Sequence, residues 1–180
     1  YVPLRDRLVR FMAESFAWVL RHHGPDELLR FHLAAAEAQR AGFERWQAMA
    51  PEDLAWTTAF LLKQHMGRVT VHEDDEKFTL EQSPCGSGGS LQLAGAYAGP
   101  AALPFVEAPG PLTCAEPRLP VYCSHCAIWN ALAPLRWFGR PLWVLDRPAR
   151  PDGSCTVFIY KRRDGTPPQY VDRLTCDPRR

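Results

Sequence analysis

No apolar run in this chain approaches the roughly 20 residues that a membrane-spanning helix needs, so no membrane partner is expected. Charge of one sign is equally scarce: 21 Lys and Arg stand against 20 Asp and Glu, for a net charge of +1. That balance leaves no electrostatic footprint for nucleic acid or an anionic surface. The opening Tyr1-Val2-Pro3-Leu4-Arg5-Asp6 lacks the long apolar stretch of a signal peptide, which predicts a soluble, cytoplasmic chain, although it does not begin with Met. Internal repeats and signs of a second domain are also missing, and 180 residues can bury a real core without staples. The six cysteines, Cys85, Cys114, Cys123, Cys126, Cys155 and Cys176, therefore read as metal-binding or catalytic thiols rather than a secreted disulfide framework.

Residues 1–67 carry a helical period. Leu4, Leu8, Phe11, Met12, Phe16, Val19 and Leu20 recur at three- and four-residue spacing and predict one apolar stripe on a first helix. Gly24-Pro25-Asp26-Glu27 ends it and starts a second, whose inner face is Leu28, Leu29, His32, Leu33 and Ala36, with Gly42 as the stop. A third helix starts at Pro51-Glu52-Asp53, runs through Leu54, Thr58, Leu61 and Leu62, and closes at Gly67. His22, His23, His32 and His65 fall on or beside these helices and read as surface or satisfied core histidines.

After Gly67 the period becomes alternating. Val69 and Val71, then Phe78 and Leu80, bracket Glu73-Asp74-Asp75-Glu76 and predict a hairpin with an acidic turn. Further strands are expected around Ser90 to Leu93, Pro141 to Leu145 and Cys155 to Lys161, the last two joined by a turn containing Asp152-Gly153. Residues 99–120, rich in proline, read as a long loop without regular structure. A short helix is expected between Cys126 and Gly139, bent or ended by Pro134. The fold class is α+β: a single domain over 1–180 with a helical part (1–67), an antiparallel sheet and cysteine-rich site (68–165) and a tail (166–180).

Val121-Tyr122-Cys123-Ser124-His125-Cys126-Ala127 and Ser83-Pro84-Cys85-Gly86-Ser87-Gly88-Gly89 are the segments that suggest chemistry. A Cys-x-x-Cys pair directs two soft ligands at one ion, which a third thiolate or an imidazole completes; zinc is the expected metal and iron the alternative. Gly86, Gly88 and Gly89 let the backbone approach a ligand or cofactor and free Cys85 to face a cavity. Cys123 and Cys126 precede the short helix, where exposed amides are expected to lower a thiol pKa. His72, Glu73 and Asp75 supply candidate proton-transfer groups beside the Cys85 turn, Asp75 first, because alternation would turn Glu73 and Asp75 toward the core with Val69 and Val71.

Acid-rich strands leading to the Cys85 turn, then the Cys123/Cys126 segment, Gly139-Arg140-Pro141 and the final strand Cys155-Thr156-Val157-Phe158-Ile159-Tyr160-Lys161 resemble the bacterial L-2-amino-thiazoline-4-carboxylic acid hydrolase-like domains over roughly residues 65–165. More remotely they resemble 4-vinyl reductase domains, whose sensors carry zinc near the closing hairpin on cysteines and an acid. Cys155 matches the last of those cysteines, whereas Arg147-Pro148 stands where another ligand belongs. The metal set thus moves to Cys85, Cys123 and Cys126, with His125 or Cys155 as fourth partner.

Two functions are compatible with these residues. One is a small-molecule enzyme, hydrolytic or ring-opening, in which a thiolate-bound metal activates water or Cys85 acts as nucleophile. The other is a ligand-binding sensory or accessory module whose metal is structural. The expected partner is a small molecule, with no nucleic acid and no membrane; self-association into a homo-oligomer is left open.

Overall fold

Helix α1 (Val2–Glu37) begins a fold whose computed structural model describes residues 2–107 and 109–175. Gly24 breaks α1 with φ 82° and ψ 177°, a backbone conformation open to glycine, and Pro25 restarts the helix. The residues that α1 buries ahead of this kink are Val9, Ala13, Phe16, Ala17 and Val19, while Leu4, Leu8 and Phe11 are exposed. The expected stripe is therefore corrected: Leu4, Leu8 and Phe11 lie outside the core, and the small Ala13 and Ala17 take part in it. After the kink, Leu28, His32 and Ala36 are buried as expected.

Gly42 is not a stop, since it lies inside α2 (Arg40–Ala48). Helix α3 (Pro51–Gln64) opens on Pro51 with Glu52 and Asp53 in its first turn, favourable at the positive end of the dipole. It buries Leu54, Ala55, Thr58 and Ala59 and packs on the sheet through β1 (Val69–Glu73), β2 (Lys77–Gln82) and β6 (Cys155–Tyr160).

The main sheet is antiparallel, in the order β1-β2-β6-β5, with β5 spanning Val144–Arg147. Leu80 lies opposite Val157 and Gln82 opposite Cys155. Phe78, Leu80 and Gln82 are the buried alternate positions of β2, matched by Val157 and Ile159 of β6. The α+β class is thus as expected. The expected strand at Ser90–Leu93 is instead helix α4 (Gly88–Leu93). Six residues are too few for the period to decide, and tertiary contacts settle it: Gly88 lies so close to Cys123 that a Cβ would come 2.5 Å from its Sγ.

The proline-rich loop is less irregular than expected. It contains β3 (Phe105–Val106) paired with β4 (Leu119–Pro120), and a 3-10 turn at Pro111–Thr113. A 3-10 turn (Val121–Cys123) then runs into α5 (Ser124–Ala127), a π turn (Ile128–Leu132) and α6 (Ala133–Phe138). Pro134 neither ends nor breaks this run. It cannot donate to the Asn130 carbonyl one turn back, and that carbonyl instead accepts from Leu142 N (3.0 Å) and Trp143 N (3.4 Å), which anchors the approach to β5. The tail contains α7 (Pro168–Thr175), with Tyr170 and Leu174 buried.

Candidate active site

Between the N-terminal helices and the cysteine-bearing turns lies a cavity of about 460 Å³. Met12, Phe43, Leu61 and Leu62 form part of its apolar wall. The structure brings Cys85, Cys123, Cys126 and Cys155 together with His125 on this one cavity, joined by His65. Of the glycines in the Cys85 turn, Gly88 and Gly89 line it and Gly86 does not.

Backbone close approach fixes the Cys85 turn. A Cβ on Gly86 would overlap the His65 carbonyl, and one on Gly67 would sit 2.6 Å from Gly86 N. On the other side, Cys85 N donates to Gly153 O at 2.8 Å, tying the turn to the β5–β6 connection just before Cys155. Arg5 reaches over from α1 and donates to the Gly86 carbonyl.

The Cys-x-x-Cys segment is held by histidines at two points. Ser124 Oγ donates to Val121 O (2.7 Å), so its hydrogen is spent, and buried His32 must donate through Nε2 at 2.9 Å. His125 Nδ1 lies 2.5 Å from the Tyr122 carbonyl, which can only accept. Nδ1 therefore carries the hydrogen and Nε2 the lone pair. Cys126 Sγ lies 3.5 Å from that Nε2 and donates its S–H to it.

Burial sets the protonation states here. It pushes His32 down to about 3, with the nearby His125 adding to the effect. His125 falls to about 4, again through burial, partly countered by its bond to Tyr122 O. His65 is lowered by burial and then by Arg5. Cys126 and Cys123 are raised well above the ordinary thiol value, first by burial and then by neighbouring thiols, and Cys155 rises to about 12 for the same reasons. The expected lowering at a helix start is thus reversed. Helix α5 has four residues and a correspondingly small dipole, whereas burial penalises every thiolate. At neutral pH the Cys126–His125 pair is a neutral thiol beside a neutral imidazole.

The acidic run lies elsewhere. Glu73 ends β1 exposed, paired with Lys161 at 2.7 Å, and Asp75 is exposed in the turn, so neither faces the core with Val69 and Val71. Asp74 closes the turn by accepting from the Glu76 and Lys77 amides at 2.8 and 2.9 Å. His72 is exposed near Glu81. None of His72, Glu73, Asp74 or Asp75 lines the cavity.

Among the described residues, no group of three or more His, Cys, Asp or Glu side chains is arranged to hold a metal ion. Cys114 is buried in the proline-rich loop away from the cavity, and Cys176 lies outside the described residues. No described helix is long and apolar enough to cross a membrane. No protein-family model matches the chain, and no curated protein or solved structure matches it either.

Among the cavity-wall residues that sequence reasoning missed are His65, Gln82 and Trp129. Gln82 had a readable signal, because it is the polar member of an otherwise apolar alternating row with Phe78 and Leu80. His65 had none, since long-range backbone contacts of the 65–68 segment with the Cys85 turn bring the end of α3 to the site.

Proposed function

We propose that this protein is a small-molecule enzyme, hydrolytic or ring-opening, in which Cys126 is the nucleophile and His125 its base. The observation that carries this reading is the 3.5 Å pair of Cys126 Sγ and His125 Nε2, with His125 oriented by the Tyr122 carbonyl, in the wall of a cavity large enough for a small molecule. Nucleophile, base and orienting acceptor follow the logic of a catalytic triad. The thiol's raised pKa means that no thiolate stands ready, so attack requires concerted removal of the proton. As the Cys126 sulfur bonds to an electrophilic acyl carbon, its proton passes to His125 Nε2. The bond to the leaving group breaks, that group takes the proton, and water then hydrolyses the thioester to restore the thiol. The resemblance to hydrolase-like domains supports the same reaction class. This assignment takes Cys126 in place of Cys85 as nucleophile, because His125 Nε2 lies beside the Cys126 sulfur.

The test is intact-protein and peptide mass spectrometry after exposure to p-nitrophenyl acetate. An acetyl adduct at Cys126 is expected, formed about 100- to 10,000-fold more slowly in His125→Gln. An adduct at another cysteine, or an unchanged rate in His125→Gln, overturns the proposal. The apolar wall favours a second reading, a ligand-binding module whose thiols do not react; ligand binding without any adduct selects it.

A further inference from the structure

Three polar atoms in the cavity wall are buried without a hydrogen-bond partner: Arg5 Nε, which still has an ion pair with Asp6, and Gln82 Oε1 and Trp129 Nε1, which have none. Gln82 is 4 % exposed and sits directly opposite Cys155 on the buried face of the sheet. Cross-strand neighbours of this kind hold their Cβ atoms about 4.5–5.5 Å apart, so the Gln82 amide and the Cys155 thiol form one patch of wall. The Trp129 ring lies 5.0 Å from the His125 ring, on the side of the cavity that carries Cys126. An orphaned buried acceptor and an orphaned buried donor are each costly, and one ligand can satisfy both. Charge is almost absent from the wall. Among the described residues Arg5 is its only charged side chain, already paired with Asp6 at 3.0 Å and bonded to the Gly86 carbonyl, and the two histidines have lowered pKa values.

We infer that the cavity receives a neutral carboxamide with an apolar body, its N–H donated to Gln82 Oε1 and its carbonyl oxygen accepting from Trp129 Nε1–H. This rests on the proposed chemistry for its consequence, though not for its test. With the carbonyl held by the indole beside His125, Cys126 attacks the amide carbon and the C–N bond breaks. The departing nitrogen takes the proton from His125 Nε2, and water hydrolyses the thioester to the acid.

N-Methylbenzamide and methyl benzoate are probes that differ in whether an N–H is present. Each is titrated into the Cys126→Ser protein, and again with Gln82→Met added, with the Trp129 indole resonance followed by NMR. The expected result is a roughly ten-fold preference for the amide in the first protein, its loss in the second, and a shift of the Trp129 indole signal with either probe. Equal affinity for the two probes in Cys126→Ser overturns the inference and needs no core variant; a preference that survives Gln82→Met also overturns it. Neither protein carries the Cys126 thiol, so these outcomes judge recognition alone, whereas the acetyl-adduct experiment judges the nucleophile.

Discussion

Acidification should destabilise this protein well before its carboxylates titrate, because two buried histidines must stay neutral for it to fold. His32 and His125 have folded values of about 3 and about 4, against roughly 6.5 in an unfolded chain. A depressed folded pKa contributes stability that is complete above the unfolded value and is lost as pH falls toward the folded one. At pH 5 the unfolded imidazoles are mostly protonated and the folded ones are not. The pH is then 1.5 units below the unfolded value, and at about 1.36 kcal/mol per unit each histidine costs about 2 kcal/mol. Together they remove about 4 kcal/mol between pH 8 and pH 5, a large share of the 5–15 kcal/mol typical of a domain. His65, lowered in the same direction, steepens the slope. Urea unfolding at pH 8, 7, 6 and 5 measures the effect, and His32→Gln should remove about half of it. Stability that is flat from pH 8 to 5, or a drop of equal size in His32→Gln, would refute the reasoning.

Two further outcomes follow from the geometry. Gly86→Ala should lower stability by about 3 kcal/mol or more, since its Cβ meets backbone that cannot rotate away; an unchanged Tm in thermal unfolding would contradict the packing described for Gly67 and Gly86. Asp75→Asn should leave adduct formation at Cys126 unchanged, because Asp75 is exposed in the β1–β2 turn and does not line the cavity; a large loss of rate would return the acidic turn to the chemistry.

Strand alternation was readable where one face is buried: Phe78 and Leu80 predicted β2, and the Gly24-Pro25 break in α1 followed from backbone constraints alone. The first helix misled because Leu4, Leu8 and Phe11 satisfy the helical period although they are exposed, Leu4 and Leu8 lining the cavity rather than joining Phe16 in the core. Helix α4 was too short for periodicity to arbitrate. The cysteine-bearing turns could be picked out by spacing, and they do meet at one cavity. Which thiol has a base could not be read, because the answer depends on a Tyr122 carbonyl fixing the tautomer of His125. The acidic run attracted a catalytic role through its density of charge, but such a run is best accommodated in solvent, as Lys77 and Lys161 beside it confirm.

The four cavity thiols come from three stretches of chain: the turn after β2, the Cys-x-x-Cys segment, and the start of β6. Cys85 and Cys155 are far apart along the polypeptide, and their proximity depends on contacts that close only when the last sheet strand is in place. The set can therefore report on the order of assembly. Brief alkylation pulses during refolding would label all four in an open chain and mark, by the order in which labelling stops, which segment docks last.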